Sequence, residues 1–160
     1  MITLRKTIQI SAPIHRCFDL VRSVDVHVET GKIIQARAEG GKTTGLPEVG
    51  DETHWSAKFF GIRFYIATQV QELSSPTRFQ EGWIKGFFQV FEHEYLLEEY
   101  NGITTVTDIF RFESPGWLIS RIVDSFILEP QMRFVQAQRL DIIQRIAESD
   151  EWKKYLTEST

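Results

Sequence analysis

Residues 114–147 read SPGWLISRIVDSFILEPQMRFVQAQRLDIIQRIA, the long helical pattern against which the rest of the chain is organised. Ser114-Pro115-Gly116 is a plausible start, with a hydroxyl able to cap free amides and a proline where a missing N–H costs nothing. Pro130 cannot donate to the preceding turn and biases Glu129 away from the αR region. The pattern therefore predicts a break near Ile127 to Glu129 and a second segment to about Ala147. At 100° per residue Leu128, Met132, Val135, Ile142, Ile143 and Ile146 fall in one apolar stripe, with Arg133, Ala137, Asp141 and Gln144 away from it. Arg139 projects into the middle of that stripe, roughly 20° from Leu128. A guanidinium cannot shed its charge, so it must reach solvent, pair with a carboxylate or meet an anionic ligand.

Everything before this helix reads as sheet. Ile2, Leu4, Ile8 and Ile10 alternate with polar residues in a first strand, and Ser11-Ala12-Pro13 ends it. Ile14, Cys17, Phe18 and Val21 then follow helical spacing, and Ser23 to Thr30 suits a second short helix closed by Gly31. Lys32 to Ala38 is an expected strand, and Glu39 to Gly50, rich in Gly and Pro, an expected mobile loop bordering the entrance of any cavity. Thr53, Trp55, Ala57 and Phe59 alternate, Phe60-Gly61 turns the chain, and Ile62, Phe64, Ile66, Thr68 and Val70 return it. Arg78 to Lys85 and Phe87 to Glu98 follow. Asn101-Gly102, the strongest hairpin signal, leads into Ile103 through Glu113. Seven strands, two short helices after the first and one long helix after the last give an α+β order in a single domain spanning 1–160. Such a sheet, curved around one helix, leaves its concave face partly unfilled, which predicts an internal cavity.

Composition excludes several functions. With 18 Lys+Arg against 22 Asp+Glu and no basic run, a nucleic-acid surface is disfavoured. Cys17, the one cysteine, cannot form an internal disulfide, which fits a reducing compartment, and it reads as a small buried apolar residue. No apolar run is long enough to span a bilayer or resembles a signal peptide, so the expected location is cytoplasmic. Ala36, Gly41, Lys42 and Thr43 match a permissive phosphate-loop pattern, but Gly45, Pro47 and Gly50 follow where a helix would have to begin. His15, His27 and His54 lie on short helices or a mixed strand without ligand spacing, so neither a metal nor a cofactor is expected.

Three polar residues interrupt apolar rows. His93 shares a strand face with Phe91, Tyr95 and Leu97; Asp108 shares one with Val106, Phe110 and Phe112; Arg139 lies in the helix stripe. They either satisfy one another or orient a ligand's polar end and exchange protons with it. Trp55, Phe64, Trp83, Phe88, Phe91, Phe110 and Phe112, with Val135 on the helix, are the candidates to line a pocket around them. The aromatic tail, Trp152-Tyr155-Leu156, either extends the helix or packs on a second subunit as in a homodimer.

Ile10-Ser11-Ala12-Pro13 followed by Phe18 resembles the strand-to-helix signature of the START-like (SRPBCC) helix-grip superfamily, which includes polyketide cyclases, pollen-allergen-type carriers and steroid-transfer domains. Phe79-Gln80-Glu81, Gly86-Phe87-Phe88, His93, Thr105 to Asp108 and Arg139 look like a bacterial ligand-binding branch of it, across essentially the whole chain. That branch commonly has Gly-Pro-Phe where this chain has Gly86-Phe87-Phe88, and a second histidine where it has Tyr95. The resemblance implies a helix-grip fold holding a small hydrophobic molecule between sheet and helix. Two other readings stay open: a cyclase or dehydratase in which His93 and Asp108 perform acid/base chemistry, and a protein-interaction domain.

Overall fold

The computed structural model describes residues 1–116 and 122–156. Seven strands, β1 (Ile2–Ile10), β2 (Arg37–Gly41), β3 (Glu52–Phe59), β4 (Ile62–Ser74), β5 (Arg78–Gly86), β6 (Val90–Tyr100) and β7 (Ile103–Glu113), form one antiparallel sheet in the order β1-β7-β6-β5-β4-β3-β2. From β2 onward each strand pairs with its successor, so short turns suffice. Phe60 and Gly61 take φ values of 50° and 80°, and Asn101 and Gly102 take 51° and 76°, the left-handed pair that a two-residue hairpin requires. Only the step from β1 to β2 crosses from one sheet edge to the other, and it is made by helices α1 (Ile14–Arg22) and α2 (Val24–Thr30). The first free amide of α1, at Ile14, donates to the Glu99 carboxylate at 2.9 Å, and Ser23 caps α2 by accepting from the Val26 amide at 3.3 Å.

Two expectations in this crossing are corrected. Residues 32–34 form a 3-10 turn and not a strand, because the Ile34 and Ala36 amides both bond back to the Gly31 carbonyl and are unavailable to a ladder. β2 starts later and runs into the expected loop. Beyond Gly41 the loop is tied down: Val24 donates to the Gly45 carbonyl, Gly45 donates to Asp25 at 2.7 Å, and Gly50 donates to Val70. None of residues 42–50 lines the cavity beneath α3, so beyond Gly41 the loop is a strap on α2 and not the rim of that cavity. Lys42 opens no helix, in agreement with dismissing the phosphate-loop pattern.

The break before Pro130 takes the form of a single π-turn, Asp124–Leu128, leading into α3 (Glu129–Glu148). The Glu129 amide reaches back five residues to the Asp124 carbonyl, which places Pro130 in the first turn of α3, where no N–H is needed. The helix predicted to begin at 115 falls partly on residues 117–121, outside the described residues; the Ser114 amide is held by the Asp124 carboxylate at 3.1 Å. Of the predicted stripe, Leu128, Met132, Val135, Ile143 and Ile146 are buried and Ile142 is half-buried, joined by Leu140 and Ala147. No described helix is long and apolar enough to cross a membrane.

The sheet and α3 enclose two apolar clusters. One gathers Cys17, Phe18, Phe79, Tyr95, Val106, Leu140 and Ile143 beneath α1; the other gathers Phe59, Phe88, Phe110, Phe112, Met132 and Val135. Burial pushes the Cys17 thiol up to about 11, which makes it an inert core residue as expected. Trp152, Tyr155 and Leu156 fold back on the first cluster, with the Arg16 guanidinium 4.3 Å over the Trp152 ring, so the tail's aromatics are engaged by their own chain.

Gly86 ends β5 at φ +134°, and an added Cβ would lie 2.5 Å from the Tyr65 carbonyl oxygen and 2.7 Å from the Ile66 Cα. Gly102 also has positive φ, but a Cβ there meets nothing within 4 Å. Gly86→Ala should therefore cost about 1–3 kcal/mol or more in urea unfolding, with Gly102→Ala costing clearly less; equal losses would show that the close approach at Gly86 does not matter.

Candidate functional site

The polar outliers occupy the seam between the two apolar clusters. On β6 His93 lies between Phe91 and Tyr95; on β7 Asp108 lies between Val106 and Phe110; on α3 Gln136 and Arg139 lie between Val135 and Leu140. His93 is 2% exposed and Asp108 is fully buried, so each must find a partner inside. The His93 Nε2 and an Asp108 carboxylate oxygen are 2.9 Å apart. Gln136 donates its amide to the same oxygen at 3.0 Å and to the Asp108 carbonyl at 3.2 Å, which ties α3 to β7. Arg139 Nη1 lies 3.4 Å from His93 Nδ1. Arginine has only donors, so Nδ1 is the acceptor there and the ring proton sits on Nε2, donated to Asp108.

Glu81 on β5 completes the seam. It is buried, one carboxylate oxygen accepts from Thr68 at 3.0 Å, and the other lies 3.8 Å from His93 Nδ1. Thr68 in turn accepts from the Trp55 indole at 3.1 Å. From α2, His27 closes the site with its ring 5.0 Å from Trp55 and 5.8 Å from His93, centroid to centroid. His27, Glu81 and His93 each bring one metal-ligating atom within 4.8 Å of the others. Sequence spacing pointed to none of this, because the three residues come from separate elements. Glu81 was discoverable as a carboxylate in the inward row of Phe79; His27, on a two-turn helix, carried no such signal.

A cavity of about 90 Å³ lies at this seam, bounded by the polar cluster at one end and by Phe59, Phe64, Phe88 and Met132 at the other. Of the expected lining residues, Trp55, Phe64, Phe88, Phe91, Phe110, Val135, His93 and Arg139 border it, as does Asp108. Trp83 and Phe112 do not. The β5–β6 ladder stops at Gly82, which leaves Trp83 38% exposed beyond it, and Phe112 is wholly buried against Phe88 and Phe110 as core.

Electrostatics mark the same place. Burial alone would raise the Asp108 carboxyl, but His93, Arg139 and the Gln136 amide outweigh it and hold the group below the ordinary value of 3.8. Burial, with Arg139 and His93 adding to it, holds His27 well below 6.5; its residual accessible surface borders the cavity. Burial and the Asp108 charge keep the Tyr95 phenol protonated far above its usual range. Arg139, expected to pair with Asp108 or another carboxylate, has no carboxylate oxygen within 4.0 Å among the described residues. Its Nε, the Tyr95 hydroxyl and the second Asp108 oxygen are buried without hydrogen-bond partners.

The architecture has well-matched precedents. A Thermus thermophilus protein superposes with a TM-score of 0.73 at 14% identity, covering 90% of this chain and 95% of its own. The Zhui aromatase/cyclase of a Streptomyces species gives 0.72 at 10% identity over 92% and 93%. A START superfamily protein of Mycobacterium smegmatis gives 0.64 at 13% identity over 89% and 98%. The chain has the START-like helix-grip fold. No protein-family model and no curated protein matches the sequence itself. Within the helix-grip fold, the cavity described above lies between the curved sheet and the gripping helix α3.

The two depressed groups set the pH dependence of stability. An unfolded His27 takes up a proton below its ordinary 6.5 that the folded state refuses, so stability is full above that pH and declines as pH falls below it. Asp108 adds a second decline below 3.8, as pH falls toward its folded value. Urea midpoints should be level from pH 6.5 to about 8, below the range where the raised Cys17 thiol begins to cost stability, and drop in two stages on acidification. His27→Gln should abolish the upper stage, and an unaltered profile in that variant would assign the proton uptake elsewhere.

Proposed function

We propose that the protein binds a small, mostly apolar molecule in this cavity, with an anionic or hydrogen-bond-accepting end directed at Arg139. The observation that carries the reading is the Arg139 guanidinium, with a buried Nε lacking a partner and no carboxylate within ion-pair reach among the described residues. A cation so placed has no direct ion-pair partner among the described residues, and an anionic ligand would supply one. The opposite wall is aromatic and aliphatic, which suits an apolar body. The cavity, at about 90 Å³, is smaller than the ~150 Å³ void that admits benzene in an engineered core. Even a single-ring ligand therefore has to displace the Phe64–Phe87–Phe88 side, where Phe87 is already 39% exposed.

The His93–Asp108 pair supports a second reading. A histidine whose Nε2 proton is held by a buried carboxylate presents the Nδ1 lone pair toward the cavity, the arrangement of a general base. One structural neighbour is titled an aromatase/cyclase, and such a base would serve enolisation of a bound polyketone. His93→Ala separates the readings: a carrier keeps binding, whereas an acid/base enzyme loses turnover by about 10²-fold or more.

Calorimetry with a matched series, an aromatic or short fatty acid against its methyl ester and its parent hydrocarbon, tests the primary reading. The acid should bind roughly 10- to 100-fold more tightly, as expected for hydrogen bonds to a charged group worth about 1.5–3 kcal/mol. Arg139→Met should erase that preference. Equal affinity across the wild-type series would mean that the polar cluster does not face the ligand.

A further inference from the structure

We propose that His27, Glu81 and His93 form a binding site for a divalent transition metal ion, Zn²⁺ by preference, at the polar end of the cavity. The three donor atoms, from α2, β5 and β6, lie within 4.8 Å of one another. A tetrahedral Zn²⁺ with bonds of about 2.0–2.2 Å holds its ligands about 3.4 Å apart. Small side-chain rotations close that difference. Two imidazoles and one carboxylate are a donor set suited to zinc, and three protein ligands leave a fourth position open toward the cavity.

The surroundings are those of ligands held for a metal. Glu81 is oriented through Thr68, and Thr68 through the Trp55 indole, leaving the other Glu81 oxygen 3.8 Å from His93 Nδ1 with no hydrogen between them to share. That separation is too long for a hydrogen bond and short enough for two ligands of one ion. His93 gives its Nε2 proton to Asp108, which Gln136 positions in turn, so the tautomer presents an unprotonated Nδ1. This is the carboxylate–histidine–metal relay in which the outer carboxylate fixes the ring's orientation and tautomer. Arg139 is the one opposing charge, 3.4 Å from Nδ1. Its side chain is only half-buried and its long stem can swing aside, leaving the guanidinium beside the ion's open position, where an anion would be held by both.

The site shares His93 and the cavity with the organic ligand, so the test uses the metal alone. Chelator-treated protein is titrated with Zn²⁺ by calorimetry and with Co²⁺ by visible absorption, and bound metal is counted after dialysis. One ion per chain, a raised melting temperature and the intense Co²⁺ bands of four- or five-coordination are expected. His27→Gln and Glu81→Gln should each weaken binding at least 10-fold, and Asp108→Asn, which removes only the outer carboxylate, by about 10- to 100-fold. His54→Gln, at the surface pair His54–Glu52, should change nothing. No stoichiometric binding by the wild-type protein, or binding that survives both His27→Gln and Glu81→Gln, overturns the proposal. Because the wild-type titration decides on its own, a variant that fails to fold does not protect the idea, and loss of the acid preference in the organic series would leave this result untouched.

Discussion

A buried hydrogen bond of 2.9 Å between His93 and Asp108 holds the polar seam of this fold in one geometry. Both groups are removed from water, so neither can be left unpaired without a cost of a few kcal/mol. Their pairing locks β6 to β7, and the Gln136 amide locks both to α3. Without that network, the helix would face a seam of polar atoms with nothing to dock on. With it, the two apolar clusters on either side can each close around their own share of α3.

The same seam explains why the cavity is there. Apolar side chains from sheet and helix interdigitate on both flanks, but at His93, Asp108, Gln136 and Arg139 the partners are polar and directional, and directional groups do not fill space as aliphatic ones do. The void that remains is therefore polar at one end and apolar at the other. Polar atoms on Arg139 and Asp108, which line it, and on Tyr95 behind them lack partners, so the seam holds hydrogen-bonding capacity that the protein itself does not use.

The neighbouring structures fit this division between frame and site. At 10–14% identity they share the curved sheet and gripping helix with this chain, which shows how little the frame depends on particular side chains. The frame needs alternating apolar faces, tight left-handed turns and one amphipathic helix. The seam needs specific residues at specific register positions.

Local chemistry alone was enough to read the strands, the Asn101-Gly102 and Phe60-Gly61 turns, the break before Pro130 and the inward rows carrying His93, Asp108 and Arg139, because periodicity and backbone sterics act over a few residues. It failed where long-range bonds took over, as when Gly31 turned residues 32–34 into a 3-10 turn or α2 captured the loop at Gly45. It could not say that Arg139 would meet His93 and not a carboxylate, since a stripe gives a direction and not a distance. Nor could it bring His27 to Glu81 and His93. That juxtaposition exists only because the chain crosses the whole sheet through α1 and α2, setting a helix from one edge over strands from its middle, and such contacts are decided by the packing of distant elements and carry no local signature.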